Sequence, residues 1–341
     1  MIPRRLPHST SLARQYCVCY KHEHRRNGSP CGYVQPIQKR FMERNYLDAD
    51  GVPDDWAKAI ECYRQAAEQG DARGQRRLGC CYYAGNGIAK DFTKAVELFC
   101  KAAEQGDAHA QYNLGLCYDK GIGVTRDSKK AADWFLKAAE QGIANAQNNL
   151  GYCYNTGKGV AKDLVKAVEW YRKAAEQGDA GAQCNLGVCY AQDMGVPVNF
   201  KKAAEWFHKA ARQEYARAQN CLGMCYAAGS GVPKNAAMAA ELFNKAAEQG
   251  HSHAQNNLGR CYAEGFGVTK DLAKAVEWYR KATEQGNANA QCRLGVCYAQ
   301  GAGILVDFVK AEDLFRKAAK QGDPDARRAL NLMSNEQNAY N

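Results

Sequence analysis

The 16 cysteines of this 341-residue chain are its first candidates for chemistry, as disulfides, metal ligands or nucleophiles. Seven of them recur at a spacing of 36 residues: Cys81, Cys117, Cys153, Cys189, Cys225, Cys261 and Cys297. Equivalent positions on stacked helices lie about 8–10 Å apart. A disulfide needs Cα atoms within about 7 Å of each other. We therefore expect these seven side chains to pack as small core hydrophobes with free thiols.

A second group of candidate ligands crowds the N-terminal segment. Its members are Cys17, Cys19, His22, His24 and Cys31. Zinc sites usually separate two pairs of ligands by a longer loop that folds around the ion. The spacing C-x-C-x2-H-x-H fits no common zinc finger, so we predict no metal and no cofactor.

Covalent catalysis is not indicated by the sequence either. A serine nucleophile needs a lysine or histidine beside it, and no S-x-x-K motif occurs; Ser128, for example, is followed three residues later by Ala131. The chain also lacks a P-loop, an H-E-x-x-H motif and a dinucleotide-binding fingerprint. We expect a protein without catalytic activity.

The elements that position these residues repeat every 36 residues. A Leu-Gly pair marks each copy, beginning at Leu78, Leu114, Leu150, Leu186, Leu222, Leu258 and Leu294. Seven copies without a register slip predict an all-α solenoid rather than one closed globule.

Each copy is predicted to form two helices. In the third copy, helix A spans residues 144–156 and helix B spans residues 164–177. Asp163 lies at the N-cap of helix B, where its carboxylate can accept from free first-turn N–H groups. Gly178 supplies the left-handed residue after that helix. Gly151 allows the partner helix to approach closely.

The faces of the two helices follow from their periodicity. Helix B carries the apolar stripe Ala167, Trp170, Tyr171 and Ala174, with charged residues toward water. Among those charged residues, Glu169 and Lys173 are spaced to form an i,i+4 ion pair.

The full pattern is A-x-x-x-L-G-x-x-Y-x-x-G-x-G-V-x-x-D-x-x-K-A-x-x-W-Y-x-K-A-A-x-x-G. It resembles the Sel-1-like repeat, a relative of the tetratricopeptide repeat, over residues 35–325. The resemblance implies a right-handed α-solenoid of helix–loop–helix repeats. It also implies adaptor or scaffold work in protein complexes, without intrinsic catalysis.

Cysteine-rich secreted relatives of this family carry two cysteines per repeat, eight residues apart, which staple adjacent helices. Here those positions are Ala103 and Gln111, or Ala139 and Gln147. The missing staple favours a reducing compartment, and we expect a cytoplasmic protein. The alternative function is a secreted or periplasmic β-lactam hydrolase of the cysteine-rich type.

Charge and composition define the remaining organisation. Residues 1–40 contain eight Lys/Arg and one acid (+7 of the total +10), so the other 301 residues carry +3 and give no case for nucleic-acid binding.

Residues 1–34 form a basic tail, for which organelle import is an alternative to disorder. Residues 35–70 are a degenerate capping repeat, 71–322 are seven repeats, and 323–341 are a capping helix and a loose end from Ser334. No apolar run is long enough to span a membrane, and we expect a monomer.

The fourth full copy departs from the pattern. Asp193 replaces the first loop glycine, Asn199 replaces the N-cap aspartate, and Glu214 replaces the glycine after helix B. A left-handed conformation at Glu214 costs on the order of 1 kcal/mol.

The exposed side of helix A is the predicted binding site. In tetratricopeptide-like solenoids this helix lines the concave groove, where an amide row could bind the backbone of an extended peptide and an apolar row its side chains. The alternative is that the amides pair with neighbouring helices and the apolar row packs. The predicted groove residues are His109, Asn113, Leu116, Asn145, Asn149, Tyr152, Asn185, Val188, Met224, Asn257, Arg260 and Arg293.

Overall fold

The computed structural model describes residues 56–339, and these residues contain 16 α-helices and no strand. The helices are α1 (Trp56–Glu68), α2 (Ala72–Ala84), α3 (Phe92–Glu104), α4 (Ala108–Lys120), α5 (Ser128–Glu140), α6 (Ala144–Thr156), α7 (Leu164–Glu176), α8 (Ala180–Gln192), α9 (Phe200–Arg212), α10 (Ala216–Ala228), α11 (Ala236–Glu248), α12 (Ser252–Glu264), α13 (Leu272–Glu284), α14 (Ala288–Gln300), α15 (Phe308–Lys320) and α16 (Pro324–Ala339). Even-numbered helices are helix A of a repeat and odd-numbered helices are helix B. The predicted helix pairs and their 36-residue period are confirmed.

The chain divides into two compact units, whose described parts are residues 56–198 and 199–339. Within each unit, helix A packs between helix B of the preceding repeat and helix B of its own repeat. In one core cluster, for example, Leu150 and Cys153 of α6 contact Ala131 and Phe135 of α5. Within each unit, the repeats therefore bury their apolar stripes against their neighbours along the chain.

Helix-B starts follow the predicted capping chemistry. The Asp163 carboxylate accepts hydrogen bonds from the N–H groups of Val165 and Lys166, each at 3.0 Å. Equivalent caps are formed by Asp91, Asp127, Asn199, Asn235, Asp271 and Asp307. These bonds satisfy first-turn donors that have no partner within the helix.

Two features of the backbone also match the sequence. Gly151 lies against Tyr171, since a Cβ at this glycine would be 2.7 Å from the Tyr171 ring. In the fourth copy, Asp193 and Glu214 adopt the left-handed conformation with φ of 57° and 59°. They are the non-glycine residues with positive φ in the described part of the chain.

The helices themselves differ from expectation in one helix end and one side-chain pair. α16 extends to Ala339, six residues beyond Met333, where we predicted a loose segment from Ser334. The Ser334 hydroxyl donates to the carbonyl of Leu330 at 3.0 Å, as part of that helix. On α7, the ammonium of Lys173 lies 4.0 Å from the centre of the Trp170 ring, a cation–π contact in place of the expected pair with Glu169.

Candidate interaction surface

Helix A of each repeat carries the predicted groove residues, so their accessibility decides what this surface can bind. Caps and core packing fix the rotation of these helices. In α4, for example, the Asp107 carboxylate accepts from the N–H of Ala110 at 2.7 Å. Leu114 of the same helix is fully buried. The rotation then determines which rows of side chains face away from the core.

The amide row is engaged between neighbouring helices. Asn185 of α8 donates to the amide oxygen of Asn148 in α6 at 2.9 Å. In the second unit Asn257 of α12 donates to the amide oxygen of Asn220 in α10, also at 2.9 Å. The same pairing thus recurs in both units.

The first amides of this row have different partners. Asn113 donates to the sulfur of Cys80 at 3.8 Å, and the Asn149 side chain hydrogen-bonds the Tyr112 hydroxyl. Asn113 and Asn257 are buried, so the prediction that they are exposed is wrong. Helix A of an adjacent repeat covers these amides, because repeats stack on both sides of each helix A.

The residues of the apolar row also differ in their exposure. Leu116 and Tyr152 are half-buried, and Leu116 packs on the cluster around Tyr112 and Phe135. Val188 is only 2% exposed and Met224 only 8%, so both were wrongly predicted to be on an open face. A partner would therefore meet Leu116 and Tyr152 without repacking, but would not meet Val188 or Met224.

Accessible groove residues concentrate in the first unit. His109 is exposed, while Asn145, Asn149 and Asn185 are half-buried. A side-chain amide has two N–H groups and an oxygen with two lone pairs, so one bond to a neighbouring helix does not exhaust it. The α6 face with Asn149 and Tyr152 is therefore one part of the predicted site that a ligand can contact.

Arginines mark the helix-A face in both units. In the first unit Arg73 is exposed and Arg77 is half-buried against Tyr63, donating to its hydroxyl at 3.1 Å. In the second unit Arg260 is buried, against expectation, and Arg293 is half-buried. Both charges act on Tyr279, whose pKa burial raises to about 12 while the two arginines lower it.

One polar feature was missed by the sequence analysis. Gln147 of α6 is buried and donates to the carbonyl of Ala139 at 3.1 Å, while its oxygen accepts from Gln177 at 2.8 Å. We call this arrangement the glutamine clamp. The Gln–Gln bond of the clamp recurs at Gln75, Gln111, Gln219, Gln255 and Gln291.

The clamp joins the two positions that a disulfide staples in the cysteine-rich relatives. The Ala139–Gln147 bond, like the bond from Gln111 to the Ala103 carbonyl at 3.1 Å, spans those eight residues. A single glutamine among other polar residues of helix A does not indicate this role. The signal in the sequence was that the glutamine recurs every 36 residues.

The seven equivalent cysteines are buried free thiols, as predicted, and the remaining cysteines among residues 56–339 are free as well. Burial raises the pKa of Cys117 and of Cys153 to about 12, which keeps them as neutral thiols. Within the described residues no cluster of His, Cys, Asp and Glu could hold a metal. The N-terminal candidates Cys17, Cys19, His22, His24 and Cys31 lie outside that part of the chain.

The repeated helix pairs and their helix-A face define a helical repeat protein of the solenoid class. A family model, the Sel1 repeat, matches eight consecutive segments: residues 45–71, 72–107, 108–143, 144–179, 180–215, 216–251, 252–287 and 288–323. The chain therefore belongs to the Sel1 repeat family, whose members generally serve as protein-interaction scaffolds.

Solved structures agree with this assignment. The chain is similar to c5321, a protective antigen of uropathogenic Escherichia coli with an SLR fold, at 40% identity and a TM-score of 0.67. That match covers 80% of this chain and 58% of c5321, so this chain spans less than two thirds of that protein. It is also similar to a Sel1 repeat protein from Oxalobacter formigenes, at 32% identity and a TM-score of 0.63, over 76% of this chain and 96% of the other. The comparison with curated proteins finds none that matches. None of the described helices is both long and apolar enough to cross a membrane.

Proposed function

We propose that this chain is a non-catalytic scaffold that binds an extended segment of a partner protein along the helix-A face of α4, α6 and α8. The observation that supports this proposal most is the half-buried pair Asn149 and Tyr152 on α6. An amide beside an aromatic ring offers both a backbone-directed hydrogen bond and an apolar contact. Together they suit a main chain with its side chains.

The charge at the α2 end of this face supports an acidic segment in the partner. Arg73 and Arg77 lie on helix A at the start of the first unit, and the exposed His109 follows one repeat later. The Asp107 carboxylate is engaged by the buried Arg76 at 3.2 Å. An extended peptide with acidic residues at the end that lies nearest α2 would complement this arrangement.

Catalysis has no support in the described residues. The buried thiols have pKa values raised by burial, which opposes formation of a nucleophilic thiolate. The alternative, a cysteine-rich hydrolase held by disulfides, is likewise unsupported, because the cysteines of residues 56–339 are free. A cytoplasmic location, consistent with free thiols, forms part of the proposal.

Capture of partners by the full chain, followed by affinity measurements, tests the proposal. Losing an amide bond costs about 1 kcal/mol and truncating an aromatic anchor about 2 kcal/mol. The double variant Asn149→Ala/Tyr152→Ala should therefore weaken a captured partner by about 100-fold. The control is Glu169→Ala/Lys173→Ala, which alters two exposed residues of α7 in the same repeat. If the α7 variant loses the partner and the α6 variant keeps it, the binding site is on helix B and the proposal is wrong.

A further inference from the structure

Two arginines converge on one point of the helix-A face in the second unit, Arg260 on α12 and Arg293 on α14. By repeat register they take the positions of Cys80 and Asn113 in the first unit. Those two side chains are in contact, since the Asn113 amide donates to the Cys80 sulfur at 3.8 Å. In the second unit both arginine charges act on the same buried hydroxyl, that of Tyr279. Two like charges are therefore neighbours on this face.

The direction of Arg293 follows from an equivalent pair at the start of the first unit. There Arg77 donates to the Tyr63 hydroxyl at 3.1 Å. Arg293 and Tyr279 hold the same two positions in a later repeat. Burial raises the pKa of Tyr279 and Arg293 opposes this rise, as a guanidinium beside the hydroxyl does. Arg293 is thus turned toward helix B of the preceding repeat.

This direction leaves a polar atom of the preceding helix A without a partner. In the first unit the side-chain oxygen of Asn148 accepts from Asn185 at 2.9 Å. The same bond joins α10 and α12 in the second unit. Asn256 and Arg293 are the next pair in this series. The side-chain oxygen of Asn256 is buried, however, and has no hydrogen-bond partner within the described residues. An unpaired buried acceptor lowers stability, so an arginine at position 293 has a structural cost.

Arg260 departs from the repeat pattern in a second way. Its side chain is only 7% exposed, although arginine is rarely buried unless its charge is paired. A guanidinium has five N–H donors, so a bond to one neighbour leaves others for a ligand. Departures from a local rule that bring no gain in stability are expected at functional sites. The same position in the other copies is apolar or aromatic: Cys80, Leu116, Tyr152, Val188, Met224 and Val296.

The local charge selects the chemistry of the ligand. The ionised groups that act on Tyr279 are the two arginines (+2) and the exposed Glu264 (−1), one turn after Arg260. Their sum of +1 complements a single carboxylate. A phosphate monoester carries about −1.5 to −2, and Glu264 would repel it. Arginine also pairs with a carboxylate through two parallel hydrogen bonds. The arrangement therefore fits a carboxylate better than a phosphate.

We propose that Arg260 and Arg293 form a carboxylate-binding site in the second unit, which takes a Glu or Asp side chain of a partner protein. The half-buried Arg293 is the more accessible of the two, and the buried Arg260 completes the site. This site is separate from the Asn149 and Tyr152 face of the first unit, and it does not depend on that face.

The test measures the binding of a short peptide to the full-length protein by fluorescence anisotropy. The peptide alternates Glu with Ala, carries rhodamine and has an amidated C-terminus; a matched peptide has Gln in place of each Glu. Wild-type protein should bind the Glu peptide about 10-fold more tightly or better, because the Gln peptide offers no charge to the arginines. Two variants, Arg293→Asn and Arg260→Tyr, reproduce Asn185 and Tyr152 and should each weaken binding of the Glu peptide by about 10-fold or more.

Two control variants separate this site from other positive charges and from the first unit. Arg280→Asn removes one exposed arginine from α13 and should bind the Glu peptide like the wild type. Asn149→Ala/Tyr152→Ala should also keep the Glu peptide. Thermal unfolding adds a readout that binding does not give. Arg293→Asn returns a donor to the Asn256 oxygen, so it should melt at or above the wild-type temperature while it loses the peptide.

Four results would overturn the proposal. Equal binding of the two peptides would show that no carboxylate is recognised, and an equal loss in Arg280→Asn would show that binding follows total charge. Melting of Arg293→Asn well below wild type would make Arg293 a packing residue. Loss of the Glu peptide in Asn149→Ala/Tyr152→Ala, with binding kept in both arginine variants, would place the peptide on the first unit alone and leave the function proposed for that unit intact. A phosphoserine peptide that binds more tightly than the Glu peptide would contradict the choice of a carboxylate.

Discussion

The glutamine clamp makes a prediction whose magnitude can be worked out from its contacts. Replacing Gln147 by Leu keeps the approximate shape of the side chain and removes two hydrogen bonds, one to the Ala139 carbonyl and one from Gln177. Neither former partner becomes a buried orphan. The Ala139 carbonyl still accepts from the N–H of Gly142 at 3.0 Å, and Gln177 is exposed and can turn to water.

The expected cost therefore equals the net value of two bonds. At about 1 kcal/mol each, Gln147→Leu should lower the free energy of unfolding by about 2 kcal/mol. Gln177→Ala removes one of the two bonds and should cost about 1 kcal/mol. The double variant should cost about 2 kcal/mol rather than about 3, because both single changes remove the same Gln–Gln bond.

Gln147→Glu is the sharper form of the test. It places a carboxylate in a buried position facing the Ala139 carbonyl oxygen, so it should cost more than the leucine at neutral pH. Burial raises the pKa of such a carboxyl, and the group then favours the folded state when protonated. Its stabilising contribution is present at low pH and lost as pH rises through the folded-state pKa.

Urea unfolding followed by circular dichroism measures these differences, with an unchanged slope showing that the same cooperative unit unfolds. The reasoning is refuted if Gln147→Leu unfolds like the wild type, or if the two single costs add in the double variant. A glutamate variant that is as stable as the leucine variant at neutral pH would also contradict it.

Three further predictions concern packing, burial and the thiols. Gly151→Ala should destabilise the protein by about 1–3 kcal/mol, since the new Cβ meets the Tyr171 ring at 2.7 Å. Gly181→Ala, where the Cβ meets only side-chain atoms, should be neutral or should stabilise the protein by up to about 1 kcal/mol. Thermal unfolding measures both variants, and equal shifts of the melting temperature would contradict the close-packing argument. Burial raises the pKa of Asp179, so the stability that this group contributes is present at low pH and lost as pH rises through its folded pKa. Asp179→Asn keeps the cap oxygen, so it should melt at or above the wild-type temperature at pH 7 and lose that advantage toward pH 4. An advantage that grows on acidification would show that the sign is wrong. The exposed Cys62 should react with iodoacetamide at pH 8 within minutes and the buried Cys117 far more slowly, and reductant should leave the melting temperature unchanged. Equal labelling of the two cysteines by mass spectrometry, or a large loss of melting temperature on reduction, would disprove buried free thiols.

Much of the fold follows from local rules that act on single residues. Asp163 caps a helix because a carboxylate at that position meets free N–H groups, and Glu214 takes the left-handed conformation because the repeat register puts it where a glycine stands in most other copies. Cys153 is buried because the repeat places it on the core side of helix A. Each of these could be predicted from spacing alone.

The binding surface was harder to predict because its exposure depends on neighbouring repeats. Periodicity places Val188 away from the helix's own core stripe, yet it is 2% exposed. Asn257 and Asn185 were expected to point to a ligand, and each instead donates to an asparagine one repeat earlier. The hydrogen-bond partner of a polar side chain depends on how two helices pack together. The sequence pattern of a single helix therefore does not predict it.

The length of α16 shows the same limit at the end of the chain. The repeat pattern predicts a turn after helix A, but residues 334–339 have Ser, Asn, Glu, Gln, Asn and Ala where the loop glycines would lie. Without a glycine to adopt positive φ, the helix continues to Ala339.

Photo-crosslinking tests the proposed helix-A site most directly. Benzoylphenylalanine is introduced at Tyr152 in one full-length variant and at Lys173 in another, and each is irradiated with the captured partner. The account predicts a covalent adduct from position 152 that is competed away by unmodified protein, and none from position 173, although Lys173 is exposed on α7 of the same repeat. An adduct from position 173 with none from position 152 would place the partner on helix B and contradict the account.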